Sequence, residues 1–490
     1  MISPARSAAY DILLRVERHG AYASELLHSS RYEKLSPADH ALCTEVVMGV
    51  LRWRSALDAG IEHFASQRLE KLDVEVLVSL RLGAYQMGWL ERVPARAAIY
   101  ESVELAKRAR KRSAAPFVNA VLRKMSADRQ WKEPLHAPLA AALRERLQQL
   151  SSEQAGWTFY IPHTSSASEA QSWAQLWSHQ FAHPAWLVER WCAEFGGANT
   201  LAICRYDQQV PVTAIRLRVP GAEEELRKAG IELAPGAFLA DARRVSKGEI
   251  TRTAVFREGR IAIQDEASQL VAAVVGGGRR LLDCCAAPGG KTAILADRNP
   301  DSQIIAADLH PQRARLLRQL IRAQNVQVIA ADAAQLPVND KFDRALADVP
   351  CSGTGTLARN PEIKWRLQPC DLADLHARQV TIARSALAHL APGGRLVYST
   401  CSLEREENQG VVEELLATVP TIRLLNCRTE LEAMQERGQL VWQDIDSITD
   451  GPFLRTLPGV HPCDGFFAAI LEKTLQPQRT RRLGEGNQPT

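Results

Sequence analysis

The sequence predicts a multidomain protein that joins a helical bundle, a small α+β module and an α/β domain built on a parallel sheet. The chain has 490 residues, which corresponds to about three domains at roughly 100–200 residues each. Up to about residue 130, apolar residues recur three and four positions apart, as in amphipathic helices. From 281 to 400, short apolar strands alternate with helical stretches, as in a parallel sheet covered on both faces.

Residues 1–130 are predicted to form the helical bundle. The helical spacing is clear in AAYDILLRV, ALCTEVVMGVLRW, VEVLVSLRLGAYQMGWL and AAIYESVELA. In the break LSPADH, Ser36 is placed to cap a helix, Pro37 suits the first helical position and Asp39 suits the first turn. We therefore expect one helix of the bundle to begin at Pro37.

Residues 131–180 are expected to be a linker or an insert with little regular structure. The stretch SSEQAGWTFYIPHTSSASEAQSW is rich in serine, alanine and glutamine and contains only scattered aromatic residues. The nearby histidines His163, His179 and His183 lack cysteine or carboxylate partners at ligand spacing. We expect them to be surface residues, and we predict no metal site.

Residues 181–260 are predicted to form the small α+β module. HPAWLVERWCAEF has helical spacing, PVTAIRLRV alternates as a strand does, and EEELRKAG suits a short helix. At the other end of the chain, residues 476–490 are polar and are expected to be disordered.

Residues 261–475 are predicted to form the α/β domain, with a Rossmann-like parallel sheet. The predicted strands are RLLDCC, SQIIAADL, VQVIAAD, FDRALADV, RLVYSTC and, last, FFAAILEK. The predicted helices are KTAILADR, PQRARLLRQLIRAQ and DLHARQVTIARSALAHL.

Composition and charge place the protein among globular cytoplasmic proteins. Apolar residues make up 46% and charged residues 24% of the chain, close to the average for soluble domains. The net charge of +4 permits a polyanionic partner without requiring one. The N-terminus lacks the apolar core of a signal peptide, and no run of about 18 apolar residues suggests a membrane span. Ten cysteines without a CxxC pair predict reduced thiols and neither a zinc ribbon nor a disulfide framework.

The stretch LLDCCAAPGGKT predicts a site for a small charged ligand. A strand ends at Asp283 and passes through a Pro-Gly-Gly turn into a helix near Lys291. Glycines let a ligand approach the backbone, and a helix N-terminus offers free N–H groups. Taken alone, the stretch is equally consistent with a structural turn. Lys291 lacks the GxxxxGK[ST] spacing of a phosphate-binding loop, which disfavours a nucleotide triphosphatase.

Acidic residues end the following strands as well. Asp308 lies about two dozen residues after the glycine turn, where doubly wound folds hold ribose hydroxyls with a carboxylate. Asp332 ends the next strand, and Asp348 ends the one after it. Each acid alone is consistent with a cap of the next turn. Together they predict one crevice, since ligands of open α/β sheets bind at the carboxyl ends of the strands.

Two cysteines are predicted to reach the same crevice. Cys351 follows its strand in DVPCSGTGT, and Cys401 follows the next strand in STCSLEREEN, just before an acidic helix start. A buried cysteine at a strand end is usually a packing residue. Both of these, however, leave their strands for loops, where a packing role has no obvious use. The pattern therefore favours a chemical role for both thiols.

These motifs resemble those of the RNA cytosine-5 methyltransferases of the Sun type, which use S-adenosylmethionine. The resemblance is carried by CAAPGGKT, Asp308, Asp332, DVPCSGTGT with NPEIKW after it, and STCSLEREEN. The first region, with LSPADHALCTEVVMGVLRW and FVNAVLRK, is similar to the NusB RNA-binding fold. The likeness covers roughly 1–130 and 181–475. It implies a monomeric enzyme acting on 16S ribosomal RNA, with RNA contacts from the α+β module.

The resemblance also implies a role for each motif residue. Cys401 is the nucleophile, Cys351 assists product release, and Asp348 contacts the cytosine as a proton donor to N3, which requires a raised pKa. Asp308 lies on the ribose and Asp332 near the adenine. Lys291 meets the methionine carboxylate, the base or only Asp348. The residues expected around the cofactor are Cys285, Ala286, Ala287, Pro288, Gly289, Gly290, Lys291, Asp308, Asp332 and Asp348.

Such a reaction requires two thiols for a chemical reason. Carbon 5 of cytosine is a poor nucleophile, so a thiolate must first add to carbon 6. A second group must later help to remove the proton at carbon 5 and release the first sulfur. The target base has to leave its stack to reach them.

A basic run is the predicted RNA contact. Residues 107–124 hold seven Lys or Arg and no acid, as expected of a phosphate-binding face, although a solvated helix face is the usual alternative. Arg359, Lys364 and Arg366 flank the catalytic loop and are expected to hold phosphates beside the base. Two alternatives stay open: a transfer RNA substrate, and a NusB-like RNA-binding or antitermination factor whose methyltransferase domain is inactive.

Overall fold

The chain forms two compact units in the computed structural model, which describes residues 2–32, 34–128, 131, 167–339 and 341–474. The first unit comprises Met1–Pro211 together with Thr356–Leu367, and the second comprises Val212–Gly355 and Gln368–Thr490. The predicted tail and most of the predicted linker lie outside the described residues.

The first unit is built from helices. In chain order its main helices are α1 Pro4–His19, α2 Ala23–Leu27, α3 Pro37–Arg52, α4 Arg54–Ala65, α5 Val74–Trp89, α6 Ala95–Arg108, α7 Ala115–Ala127, α8 Ala167–Gln180 and α9 Ala185–Asp207. Helix α3 begins as predicted: the Ser36 hydroxyl accepts a hydrogen bond from the Asp39 N–H at 3.1 Å, with Pro37 in the first position. The helical bundle predicted for the N-terminal region is confirmed.

A close packing contact joins α3 and α5 in this core. A Cβ atom at Gly49 would lie 1.8 Å from the Tyr85 ring, so glycine alone lets the two helices approach this closely. The Tyr85 hydroxyl donates to Glu45 at 2.6 Å, which satisfies the polar end of an otherwise buried ring.

The expectation of little regular structure over 131–180 is wrong for its last part, because Ala167–Gln180 is a helix. Trp173 and Trp177 lie one turn apart on it with ring centroids separated by 5.9 Å. The helical spacing of apolar residues therefore decided the structure of this segment, and the serine-rich composition did not prevent a helix. Helix α9 also differs from expectation, since it belongs to the first unit and not to the α+β module.

His183, between α8 and α9, is buried and not at the surface as expected. Its Nε2 lies 3.1 Å from Asp207 Oδ2, and only 4% of the residue is exposed. Burial lowers the pKa of His183 well below its usual value. His179 is exposed as expected, and His163 lies outside the described residues.

The segment Thr356–Leu367 follows the DVPCSGTG loop in the chain but packs within the helical unit. Lys364 is 1% exposed, and its Nζ donates to the carbonyls of Arg52 at 3.0 Å and Ala182 at 2.9 Å. Arg366 donates to the Gly20 carbonyl at 2.7 Å. The expectation that Lys364 holds an RNA phosphate is therefore wrong, because its buried amino group binds two helix-end carbonyls. Arg359 and Arg366 are partly exposed, and their contacts with phosphates stay a prediction.

The second unit begins with a four-stranded antiparallel sheet. Its strands are β1 Thr213–Leu217, β2 Glu232–Pro235, β3 Ala242–Lys247 and β4 Ile261–Ile263, in the order β2-β3-β1-β4. The predicted short helix is present as α10 Ala222–Lys228. The module was predicted to end at residue 260. Its last strand, β4, lies beyond that point and completes the sheet by pairing with β1.

The larger sheet of this unit has nine strands in the order β11-β12-β13-β9-β8-β5-β6-β7, with β10 paired to β13. The strands are β5 Arg280–Asp283, β6 Gln303–Asp308, β7 Val326–Ala330, β8 Phe342–Asp348, β9 Leu390–Thr400, β10 Ile422–Leu425, β11 Thr449–Asp450, β12 Phe453–Thr456 and β13 Phe466–Lys473. All six predicted strands are present. Strands β5 to β9 are parallel, and β13 joins β9 antiparallel.

Helices cover both faces of this sheet and connect its strands. They are α12 Glu266–Val274, α13 Gly290–Arg298, α14 Pro311–Leu320, α16 Asp371–Ala388, α17 Gln409–Thr418 and α18 Cys427–Glu436. Two short helices lie elsewhere: α11 Ala254–Arg257 packs against β4 of the smaller sheet, and α15 Ile363–Arg366 belongs to the first unit. The chain order reverses beside β5, where β6 lies on one side and β8 on the other. At such a switch point the carboxyl ends of the strands open a crevice. No helix among the described residues is long and apolar enough to cross a membrane.

Candidate active site

Cys351 and Cys401 lie side by side at the carboxyl ends of two parallel strands. Strand β8 ends at Asp348 and β9 ends at Thr400, and Asp348 pairs with Ser399 across the two strands. The loops that carry the cysteines therefore leave the sheet together. Their Sγ atoms are 3.2 Å apart, and each residue is partly exposed. The structure thus brings the two predicted thiols into contact.

The surroundings of Cys351 keep this cysteine protonated. Its hydrogen bond with Cys401 and its burial raise the pKa of Cys351 well above the usual value, and the charges of Cys401, Glu407 and Asp348 raise it further. A neutral thiol has an S–H that can donate. Cys351 is therefore suited to donate a hydrogen bond or a proton to the neighbouring sulfur.

Lys291 and Asp348 form an ion pair beside the thiols. Lys291 Nζ lies 2.7 Å from Asp348 Oδ2, and the Ser399 hydroxyl donates to Asp348 Oδ1 at 2.9 Å. Burial lowers the pKa of Lys291, but the charge and hydrogen bond of Asp348 raise it more, so the net value lies above the usual one. Of the three contacts considered for Lys291, the structure shows the one with Asp348.

The glycine turn between β5 and α13 requires glycine at Gly289. Its φ of +113° lies in the left-handed region, and a Cβ atom there would come within 2.7 Å of Leu317. The turn leads directly into the N-terminus of α13, where backbone N–H groups suit a small charged ligand. Asp283, predicted as the strand-end acid, and Thr292, which was not predicted, hold this turn through a hydrogen bond of 2.7 Å.

Asp283 is a buried acid at the end of β5. Only 1% of the residue is exposed, and burial raises its pKa to about 7 despite the hydrogen bond from Thr292. Asp283 and Thr292 both lie in the motif LLDCCAAPGGKT. No pattern in the sequence, however, distinguishes this buried aspartate from the other aspartates that end strands.

Asp308 and Asp332 each cap the turn that follows their strands, as the alternative interpretation had it. Asp308 Oδ1 accepts from the His310 N–H at 2.9 Å, and Asp332 Oδ1 accepts from the Ala334 N–H at 2.9 Å. An ionised carboxylate has a second oxygen and several acceptor sites. Capping therefore leaves each residue able to accept from a ribose or an adenine group.

A buried carboxylate next to the cysteines was missed. Glu407 is fully buried and accepts hydrogen bonds from the Ser352 N–H at 2.8 Å and the Ser402 hydroxyl at 2.5 Å. The acidic run in STCSLEREEN, which contains Glu407, was interpreted only as the acidic start of a helix. Sequence alone does not indicate which acid of such a run turns inward.

The backbone between the two thiol loops is closely packed. The Gly355 N–H donates to the Cys401 carbonyl at 2.8 Å, and the Gly465 N–H donates to the Gly355 carbonyl at 2.8 Å. A Cβ atom at Gly355 would lie 2.3 Å from the Gly465 oxygen. The second glycine of CSGTG is therefore required by this packing.

The basic run 107–124 is less free than its sequence suggested. Three of its cations pair with acids outside the run: Lys107 with Glu104 at 2.7 Å, Arg108 with Asp11, and Lys111 with Asp73 at 2.9 Å. The expected lack of compensating acids is therefore wrong for these three. The other four cations of the run are exposed: Arg110, Arg112, Arg123 and Lys124.

The arrangement can hold a small charged cofactor and carry out thiol chemistry at one edge of the sheet. Strands β5 and β6 lead to the glycine turn with Lys291 and to Asp308, while β8 and β9 lead to Asp348 and the two sulfurs. The residues fit S-adenosylmethionine, since a ribose needs a carboxylate acceptor and an amino acid group needs backbone N–H groups.

Comparison with known proteins gives two family matches and similar full-length relatives. Residues 275–472 match the family described as 16S rRNA methyltransferase RsmB/F, and residues 3–127 match the NusB family. The chain is 31% identical to "Probable ribosomal RNA small subunit methyltransferase B" of Bacillus subtilis (strain 168), covering 96% of this chain and 98% of the relative. Its identity to ribosomal RNA small subunit methyltransferase B of Vibrio cholerae is 30%, covering 96% and 97%.

Solved structures share the fold. The structure of PH0851 superposes with a TM-score of 0.72 at 21% identity, covering 96% of this chain and all of that one. The structure of NSun6 from Pyrococcus horikoshii with SFG has a TM-score of 0.51 at 20% identity and covers 60% of this chain and 99% of that one.

Proposed function

Because the chain belongs to the RsmB/F family of 16S ribosomal RNA methyltransferases, we propose that it transfers a methyl group from S-adenosylmethionine to carbon 5 of a specific cytosine. The family accounts for an enzyme that uses S-adenosylmethionine and acts on small-subunit ribosomal RNA. The observation that supports cytosine as the target is the pair of sulfurs 3.2 Å apart, Cys351 and Cys401, beside Asp348. Methylation at carbon 5 needs one thiol to attack and a second group to assist release.

In the proposed mechanism Cys401 is the nucleophile. Its thiolate adds to carbon 6 of the cytosine, and carbon 5 becomes nucleophilic as the ring gains electron density. The bound cofactor supplies an electrophilic methyl group. A water molecule then takes the carbon 5 proton, and the electrons of the broken C–H bond expel the sulfur of Cys401 from carbon 6, which restores the aromatic ring and the free thiolate.

Cys351 assists release in this proposal. Its raised pKa keeps it as a thiol, so it is a poor competitor for the attack on carbon 6. From 3.2 Å it can donate to the sulfur of Cys401 as that sulfur departs. The protonation of Cys351 thus supports the assignment of different roles to the two cysteines.

Asp348 is proposed to contact the edge of the cytosine. Its two hydrogen-bond partners described above, Lys291 and Ser399, both donate to it, so it acts as an acceptor in this structure. To donate to N3 of the base, Asp348 must gain a proton when the base binds. Lys291 is the neighbouring group that carries one.

The cofactor is proposed to bind across the strands before the thiols. The turn from Cys285 to Lys291 meets its amino acid part, Asp308 accepts from the ribose hydroxyls, and Asp332 contacts the adenine. We also propose that the enzyme works as a monomer in the cytoplasm, which a single-species mass in solution and fractionation of cells would test.

Mapping of 5-methylcytosine tests the proposed function. RNA from a strain that lacks the gene is expected to lose one 5-methylcytosine of 16S ribosomal RNA, and the purified enzyme with S-adenosylmethionine should restore it. Loss of a site in transfer RNA instead would support the alternative substrate. An unchanged pattern in both RNAs, with an enzyme that binds RNA, would support the RNA-binding factor with an inactive domain.

The four cations of the basic run for which no ion pair is described above are expected to contact RNA phosphates. Changing Arg110, Arg112, Arg123 and Lys124 together to glutamine should weaken RNA binding and flatten its dependence on salt, by up to about 0.7–0.9 in the logarithmic slope per lost phosphate contact. Cofactor affinity should not change. The matched variant, with Lys107, Arg108 and Lys111 changed to glutamine, should flatten the slope less, because these cations already pair with acids. Equal slopes for wild type and the four-residue variant would assign the run to a solvated face.

A further inference from the structure

Glu407 links the two loops that carry the cysteines. One carboxylate oxygen accepts from the N–H of Ser352, the residue after Cys351, at 2.8 Å. The other accepts from the hydroxyl of Ser402, the residue after Cys401, at 2.5 Å. A single buried side chain thus contacts the immediate neighbours of both sulfurs.

The link continues through two further buried side chains. Gln379 Nε2 donates to Glu407 Oε1 at 2.8 Å and to the Pro350 carbonyl at 3.0 Å. The Tyr398 hydroxyl donates to the backbone carbonyl of Glu407 at 2.5 Å. Since the three groups that contact the carboxylate all donate, Glu407 acts purely as an acceptor, and its orientation is fixed from several sides.

We propose that Glu407 is a positioning residue, whose buried carboxylate sets the spacing of the two sulfurs and whose negative charge holds Cys351 in its thiol form. This inference rests on the proposed function only for its effect on methylation. Its effects on the thiols themselves follow from geometry and charge, whichever base the enzyme modifies.

The charge of Glu407 acts on Cys351 together with other groups. The titratable groups that face Cys351 are Cys401, Glu407, Asp348 and Tyr398. The hydrogen bond with Cys401 raises the pKa of Cys351 most, and the charges of Glu407 and Asp348 raise it in addition. Removal of the Glu407 charge is therefore expected to favour the thiolate of Cys351, even when the spacing is kept.

Thiol labelling of Glu407→Gln tests the effect of the charge. Alkylation by iodoacetamide is followed over pH by mass spectrometry of two tryptic peptides, residues 345–359 with Cys351 and residues 396–405 with Cys401. We expect Cys351 to be labelled faster at a fixed pH below its midpoint, by on the order of tenfold, because loss of one neighbouring negative charge lowers the pKa of a thiol by roughly one unit. The substitution lies outside both peptides.

Glu266→Gln is the matched control. Glu266 is also buried, at 1% exposure, and accepts from the N–H groups of Ala237 at 2.9 Å and Phe238 at 2.8 Å. It therefore holds a different loop in the same way. If Glu407 were only a packing residue, both variants would lose thermal stability and neither would change the pH profile of Cys351. That result would overturn the proposal.

The spacing of the Cys351 and Cys401 sulfurs is tested with phenylarsine oxide, which binds two close thiols and releases water. Glu407→Asp keeps the charge but shortens the side chain, and Ser402→Ala removes one link. Both variants should capture the arsenical several-fold more weakly than wild type. If Glu407→Asp and Ser402→Ala both captured the arsenical as strongly as wild type, the positioning role would be overturned. This test does not depend on the folding of Glu407→Gln.

The test separates this inference from the proposed function. If the wild-type enzyme shows the expected thiol behaviour but methylates no cytosine, the role of Glu407 stands and the proposed reaction fails. If cytosine is methylated and Glu407→Gln leaves the thiols unchanged, the reaction stands and the role of Glu407 fails.

Discussion

A Cys401→Ala enzyme is expected to lose methylation completely and to form no covalent bond with RNA. Without the attacking sulfur nothing can add to carbon 6, so carbon 5 stays unreactive. Removal of a nucleophile typically costs several orders of magnitude in rate, roughly 10⁴–10⁶-fold. The measurement is a denaturing gel with labelled 16S ribosomal RNA and S-adenosylmethionine.

Cys351→Ala should have the opposite effect on the same gel. The attack by Cys401 and the methyl transfer remain possible, but release slows because the donor 3.2 Å from the departing sulfur is gone. A protein–RNA complex that resists denaturant should accumulate. Cys370→Ala is a suitable control, since Cys370 is exposed and should behave as wild type.

The pair of variants decides between the two assignments. An adduct with Cys401→Ala and none with Cys351→Ala would make Cys351 the nucleophile. Full methylation by both variants would contradict the thiol mechanism and return the two cysteines to a packing role.

An Asp308→Asn enzyme should bind S-adenosylmethionine more weakly by about 1.5–3 kcal/mol, the usual contribution of hydrogen bonds to a charged group. Asparagine keeps an oxygen for the His310 N–H, so the turn after β6 is preserved. Its amide NH₂ cannot accept from a ribose hydroxyl. Isothermal titration calorimetry measures the affinity.

Asp301→Asn provides the comparison for this measurement. Asp301 is an exposed acid in the loop before β6, so its variant loses the same charge without the proposed ribose contact. Equal affinity of the Asp308 and Asp301 variants would mean that Asp308 only caps its turn.

The parts of the fold that depend on short-range pattern were predictable. Six strands of the large sheet follow from apolar runs, and the cap at Ser36 follows from local chemistry. The convergence of Cys351 and Cys401 was predictable for the same reason, because carboxyl ends of neighbouring parallel strands share one edge. The exact partners across that edge, such as Lys291 with Asp348, were left among alternatives.

The features that sequence reasoning missed depend on contacts between distant residues. Lys364 looked like a phosphate ligand because lysine is rarely buried, yet two helix-end carbonyls, those of Arg52 and Ala182, hold it inside the first unit. Glu407 was not distinguished from the other acids of its run, although it is buried. In both cases the partners are backbone groups or distant side chains, and residue types along the chain do not encode them.

The return of Thr356–Leu367 to the helical unit has a consequence for synthesis on the ribosome. The first unit spans Met1–Pro211 but needs a segment that is translated 144 residues later, since Val212–Gly355 comes between them. At roughly 5–20 residues per second, this gap takes about 7–30 s. During that time the nascent N-terminal helices lack the Lys364 amino group that binds the carbonyls of Arg52 and Ala182. An N-terminal fragment ending at Pro211 is accordingly an incomplete folding unit, and its last stabilising contacts arrive only after the strand that carries Asp348 has been made.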